Sequence, residues 1–264
     1  MSTDRLTLGL YQGIGTPGDV GANLAEMREA IAQAAVDGIE LLVFPEGFLT
    51  GYYLPAVTRL TLPDTVDATQ SLCEAARKAG IGVVFGLAER SAGGAFNAAI
   101  AIAPDGSVVA RYHKRALFGD WEKGLFTPGA QPVLFDFRGF RIALLICYDL
   151  EFPELAREAA GAGADLIVVP TSLMLPYDEV ADHLVPTRAL ENQIFVAYAN
   201  RAGAENGLHY AGKSTVSDPL GRSLAKAGSS GPTRISATLD KVAIAEARAR
   251  YSYLGDLQRL SLRR

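Results

Sequence analysis

Cysteine is scarce in this 264-residue chain, which has two in all, Cys73 and Cys147. They lie far apart in unlike surroundings, so neither a disulfide framework nor a CxxC metal pair is available. His113, His183 and His209 are scattered without HExxH or similar ligand spacing, and no metal is expected. GxSxG is absent, which removes the usual serine-hydrolase signal. No stretch of Lys and Arg forms the stripe that phosphate neutralisation needs, and the formal net charge is -4, so nucleic acid is not an expected partner. The opening Met1-Ser2-Thr3-Asp4-Arg5 leads into a short apolar run broken by Gln12 and Gly13, which is neither signal peptide nor membrane span. A cytoplasmic chain without membrane contact is the expectation. No Ser/Gly/Pro-rich linker divides the sequence, which favours one domain over residues 1–264.

What is present is a 49% hydrophobic composition, enough for a large core. Short β-branched runs predict strands at Leu6 to Tyr11, Leu41 to Phe44, Ile81 to Leu87, Ala98 to Ala103, Ile142 to Ile146, Leu166 to Val169 and Phe195 to Ala199. Helices are predicted from about Asp19 to Val36 and from about Asp64 to Ala79, each ending at a glycine, Gly38 and Gly80. The segment Gly38 to Glu46 is echoed by Gly163 to Thr171 at a constant offset of 125 (163 minus 38). A weaker echo pairs Arg5 to Leu10 with Arg141 to Ile146. An α/β protein of two related halves is expected, packed sheet to sheet with helices outside. Chemistry then belongs just beyond the carboxyl ends of strands, where Glu46, Cys147 and Thr171 fall.

Cys147 follows Leu144-Leu145-Ile146 and precedes Tyr148-Asp149-Leu150-Glu151-Phe152-Pro153, a strand, a sharp turn and a proline placed to open a helix. Such a turn presents a nucleophile and aims backbone N–H groups at an incoming carbonyl. By position alone a small buried packing residue is the alternative. Glu46 ends an apolar run, where lost solvation raises a carboxyl pKa towards that of a general base. Lys114 follows a strand, and Glu122 comes eight residues later in an aromatic setting.

In that order, Pro45-Glu46, Lys114 and Cys147-Tyr148-Asp149 resemble the nitrilase superfamily of carbon-nitrogen hydrolases, and Glu122 matches the second glutamate many members carry. Gly18-Asp19-Val20 with Asn23 and the Ser217-Asp218-Pro219-Leu220-Gly221 turn belong to the same resemblance, which runs to about residue 240. Leu117-Phe118-Gly119, Glu122-Lys123 and Pro128-Gly129 look most like the small aliphatic amidases. The resemblance implies a four-layer αββα sandwich of two packed mixed sheets, a homodimer or higher homo-oligomer, and no cofactor. Residues after about 240 are then an extension used in packing or dimerisation. It also implies roles: Cys147 as nucleophile, Glu46 as base, Lys114 at the oxyanion, and Glu122 holding Lys114 or aligning water. The expected substrate is a small amide, with nitriles and N-carbamoyl compounds open. Tyr52, Trp121, Tyr148 and Leu173 are candidate walls; no single cationic anchor is visible, which favours neutral acyl groups unless Arg115 or Arg201 intrudes.

Three rivals compete. Gly13, Gly15 and Gly18 form a GxGxxG that would bind NAD(P) in an oxidoreductase, although Pro17 and Gly18 precede the expected helix cap at Asp19. Gly207 to Ser214 matches a phosphate-binding loop letter for letter, yet reads as a strand between turns. His113 or His183 could serve a Cys-His hydrolase, but the known cysteine surroundings are missing. Cys73, in a helix, is read as packing.

Overall fold

The computed structural model describes residues 4–53, 62–91 and 93–261; the opening Met1, Ser2 and Thr3 lie outside them. The first half runs β1 (Arg5–Gln12), α1 (Val20–Val36), β2 (Leu41–Val43), α2 (Leu62–Ala79), β3 (Gly82–Ser91), β4 (Gly94–Ile102) and β5 (Val108–His113). After α3 (Gly119–Leu125) come β6 (Val133–Phe137), β7 (Phe140–Leu144), α4 (Pro153–Gly161), β8 (Leu166–Thr171), α5 (Val185–Asn192) and β9 (Phe195–Asn200). The chain closes with β10 (Ala202–Glu205), β11 (Leu208–Ala211), β12 (Thr215–Ser217), β13 (Ser223–Lys226), β14 (Thr233–Asp240), α6 (Val242–Arg250) and α7 (Tyr253–Ser261). All seven predicted strands form, as do both predicted helices. Asp19 caps α1 by accepting from the Ala22 N–H, and Gly38 and Gly80 follow their helices with φ of 74° and 69°.

Two six-stranded mixed sheets result, ordered β14-β1-β2-β3-β4-β5 and β13-β12-β9-β8-β7-β6. Strand alternation explains how they stack. Leu41 and Val43 point into a core shared with Ile142, Leu144 and Val168 of the second sheet, whereas Leu42 and Phe44 pack against Met27, Ile31 and Leu72 of α1 and α2. The second sheet carries α4 and α5, whose Ala156, Ala159, Val185 and Ala189 join the shared core. This is the four-layer α/β sandwich with helices outside.

The two halves do repeat. Leu8 pairs in parallel with Leu41, and Ile142 with Leu166. This pairing sets Leu8 against Ile142, two residues from the position that the Arg5/Arg141 echo gives. An even slip keeps the same face of the strand towards the core. The last strand, β14, returns to the first sheet and pairs antiparallel with β1 along its whole length, from Arg5 and Asp240 to Gln12 and Thr233. Among the described residues no helix is long and apolar enough to cross a membrane.

Candidate active site

Glu46 stands three residues beyond β2, where Phe44 still donates its N–H to Val84 O at 2.8 Å. Its side chain is fully buried. The loop that carries it lies directly on β3: a Cβ at Gly86 would sit 2.5 Å from Gly47 N and 2.7 Å from Glu46 Cα, so only glycine permits this approach. Lys114 follows β5, with its N–H bonded to Asn97 O at 2.8 Å, and is likewise fully buried. Its Nζ donates to Glu46 Oε1 and to Glu122 Oε1, both at 2.8 Å. Glu122, on α3, also accepts from Tyr52 OH at 2.7 Å and from the Phe118 N–H at 2.6 Å. Asn97 Nδ2 completes the Glu46 Oε1 shell at 2.7 Å.

Cys147 begins a 3-10 turn, Cys147–Glu151, that leads through Phe152 into α4 with Pro153 at its first position. Its φ is 47°, a left-handed conformation that a β-carbon disfavours and the surroundings must hold in place. Asp149 does this. One carboxylate oxygen accepts from Ile146 N at 3.0 Å and Tyr112 OH at 2.9 Å, the other from Arg115 N at 3.2 Å and Ala116 N at 2.7 Å. The elbow is thereby fastened to the residues just after Lys114.

The electrostatics follow from burial. Cys147 is held well above the usual thiol range by burial and then by the Glu46 charge, against which Lys114 and the Ser172 N–H work. Burial also raises the Glu46 carboxyl, outweighing the Lys114 ammonium, with the Glu122 charge adding to the rise. For Lys114 burial acts downward, but Glu46, Glu122 and Cys147 together lift its pKa above the lysine range. The two shifts agree: one ammonium answers two carboxylates, so Lys114 is firmly protonated while Glu46 is under-compensated. Glu46 Oε2 is buried and has no hydrogen-bond partner among the described residues. The cluster therefore combines a neutral thiol, a cation and two carboxyl groups, of which Glu46 keeps one oxygen open.

Cys147 opens onto a cavity of about 100 Å³, bounded also by Tyr52, Phe118, Tyr148, Glu151, Ser172, Leu173, Met174, Tyr177, Glu179 and Val180. Three of the four expected walls, Tyr52, Tyr148 and Leu173, are among them. Trp121 is not: α3 turns its indole onto the outer side of Tyr52 and Tyr53, at centroid distances of 5.3 and 5.0 Å, so it backs a wall instead of forming one. Thr171 turns its hydroxyl to Val169 O, and the neighbouring Ser172 lines the cavity and bonds Glu46 O at 3.1 Å. Arg115 pairs with Glu158. Arg201 lies beneath the site, where Nε and Nη2 donate to Glu46 O and Gly47 O at 3.1 Å each and Nη1 meets Glu205 at 2.8 Å.

The rivals lose their geometry. Gly18 precedes the Asp19 cap instead of lying inside α1, and Asn23 occupies the loop by bonding Thr16 N at 2.6 Å and Thr16 O at 2.9 Å. Glu46, the would-be ribose acid, is sealed against Lys114. The Gly207 to Ser214 segment contains β11, hairpin partner of β10, and its Lys213 is paired with Asp178 and Asp182. His113 bonds Glu89 and stacks on Phe96, and neither it nor His183 lines the cavity. Among the described residues no group of His, Cys, Asp and Glu is placed to hold a metal ion.

The profile of the carbon-nitrogen hydrolase family matches residues 7–249. The "Hydrolase in pqqF 5'region" of Pseudomonas protegens is 41% identical over 255 residues, covering 95% of this chain and 88% of that one. An (R)-stereoselective amidase of a Pseudomonas species is 38% identical over 249 residues, covering 94% and 89%. An amidase from Nesterenkonia sp. AN1, solved as a double mutant with acrylamide, superposes with a TM-score of 0.86 at 34% identity, covering 94% and 95%. Another mutant of that amidase shows the acetamide moiety of fluoroacetamide added covalently at its active-site cysteine. With the profile spanning nearly the whole chain and relatives aligned over more than nine-tenths of it, this protein belongs to the carbon-nitrogen hydrolase family.

Proposed function

We propose that this chain is an amidase that hydrolyses the carbon-nitrogen bond of small amides through a thioester on Cys147, releasing ammonia and a carboxylic acid. The observation that carries this reading is the open Glu46 Oε2, a buried carboxyl oxygen without a partner among the described residues, in the same cluster as a neutral thiol. The named amidase relatives support the choice of amides over nitriles or N-carbamoyl compounds.

Glu46 takes the Cys147 proton as sulfur bonds to the carbonyl carbon. The oxyanion is met by Lys114, which has three ammonium protons and uses two on Glu46 and Glu122, and by the Tyr148 N–H at the start of the turn. Each such donor contributes roughly 3 kcal/mol. Collapse breaks the carbon-nitrogen bond, and Glu46 passes its proton to the departing ammonia. Water then yields a proton to Glu46 and attacks the thioester; the carboxylic acid leaves and the thiol recovers its proton. Glu122 keeps Lys114 aimed, and Tyr52, whose hydroxyl is kept protonated first by burial, holds Glu122.

Ammonia release from a panel of amides, nitriles and ureido compounds tests the reading, with Cys147→Ala beside wild type. Full activity in Cys147→Ala would sink it, and intact mass under turnover should show an acyl adduct. The same reading takes the whole chain as one cytoplasmic hydrolase domain that pairs with a second copy. Residues after about 240 serve as an extension for packing and pairing: Gln193 ties α6 to the end of α5 by bonding Ala247 O at 2.7 Å and Tyr251 O at 2.6 Å, while Tyr253 and Leu260 of α7 stay exposed. Light scattering of the full chain tests the pairing.

A further inference from the structure

The cavity at Cys147 has a charge that hydrolysis of a simple amide does not require. Among the described residues its lining includes two carboxylates, Glu151 and Glu179, and no lysine, arginine or histidine. Glu151 is half-buried, next to the Cys147 elbow; Glu179 is exposed, beside Val180 of the same lining. Neighbouring charges are already matched. Lys213 pairs with Asp178 and Asp182, and Lys226 with Asp182. Arg188 pairs with Glu191 and gives its other nitrogens to the Leu150 and Glu151 carbonyls. Among the described residues neither Glu151 nor Glu179 makes a side-chain hydrogen bond or salt bridge. Burial raises the Glu151 carboxyl, Lys114 and Arg188 oppose the rise, and the charge of Glu179 adds to it. Three rings of the lining, Phe118, Tyr148 and Tyr177, adjoin edge to face at centroid distances of 5.2 and 5.9 Å.

We propose that the preferred substrates are amides whose acyl chain carries an ammonium group a few bonds from the carbonyl, with that group received by Glu151 and Glu179 while the amide meets Cys147. This rests on the amidase reading and narrows it: neutral acyl groups are accepted, cationic ones favoured and carboxylate-bearing ones disfavoured. The cavity volume limits the chain to a few atoms, and the two carboxylates replace the hydration that the ammonium surrenders on entry.

Three probes separate the two claims. Butyramide and β-alaninamide have the same size and differ by a methyl against an ammonium, and succinamate carries a carboxylate. At neutral pH and low salt, kcat/KM for β-alaninamide should exceed that for butyramide by about tenfold or more, with succinamate lowest. Glu151→Gln and Glu179→Gln should each lower the β-alaninamide to butyramide ratio, and added salt should lower it in wild type. If butyramide is hydrolysed as well as β-alaninamide, or if neither variant moves the ratio, the cation preference is refuted and the amidase reading stands. If none of the three releases ammonia, the amidase reading falls and this proposal falls with it.

Discussion

Asn97 and Lys114 both donate to the same oxygen of Glu46, Oε1, at 2.7 and 2.8 Å, which leaves Oε2 as the free face of the carboxylate. The Asn97 bond favours the ionised form and opposes the rise caused by burial. Removing it with Asn97→Ala should raise the Glu46 pKa further. The acid limb of kcat/KM, which in wild type should already lie above the ordinary carboxylate value of 4.5, should therefore move to higher pH, with kcat at neutral pH down about tenfold. A pH profile with an unmoved acid limb would count against this.

Glu46→Gln should abolish turnover and yet stabilise the fold. A carboxyl raised by burial contributes most when protonated, and its contribution is lost as pH rises through the folded pKa. Above that pKa the ionised Glu46 is therefore a cost that glutamine removes. Each kcal/mol regained should lift Tm by roughly 2–4 °C in a chain of this size. The gain should shrink as pH falls through the Glu46 pKa, because wild type then becomes neutral as well. Calorimetry at two pH values decides it.

Asp149→Asn tests the elbow clamp. Both carboxylate oxygens accept from backbone N–H groups, so whichever way an amide is set, its NH2 faces a donor. The loss should be about 1.5–3 kcal/mol for a buried charged acceptor. Displacing Cys147 by a fraction of an ångström should lower kcat by up to ~100-fold, with the larger effect in kcat than in KM. Thermal melts and steady-state kinetics on one preparation measure both.

Arg201→Met should destabilise the protein by about 3–5 kcal/mol, because it leaves Glu205 buried without its partner. Adding Glu205→Gln should recover part of that loss, since the stranded charge is gone while the amide oxygen still accepts from Tyr52 N and the amide NH2 can donate to Tyr210 OH. Denaturant unfolding of the single and double variants gives the coupling.

Much of this architecture is written in periodicity. Leu6, Leu8 and Leu10 alternate with residues facing the other side, and the repeated glycine, strand and proline unit announced two halves. Short strands such as β12 and β13, with three and four residues, carry too little pattern to be read. At the site, Glu46, Lys114, Glu122 and Cys147 were legible because chemistry restricts their types and strand ends restrict their places. Asn97 did leave a signal, an amide inside the apolar run from Phe96 to Ile102 where no free polar group could remain unbonded. Ser172 left none, and Arg201 was visible only as a charge that could reach the acyl group, since the roles of both depend on how β8 and β9 meet the Glu46 loop across the two sheets. Trp121 was misplaced because a seven-residue helix has no periodicity strong enough to fix which side its ring takes.

The burial of Cys147, only 7% exposed and kept as the thiol, also bears on how the protein ages. Peroxide and disulfide reagents act on thiolates, so the proposed nucleophile is also shielded from accidental oxidation. Its reactivity towards electrophiles should be sorted by size and charge: iodoacetamide, small and neutral like an amide, should inactivate the protein far faster than iodoacetate, which Glu151 and Glu179 repel, and both should outpace a bulky aromatic disulfide.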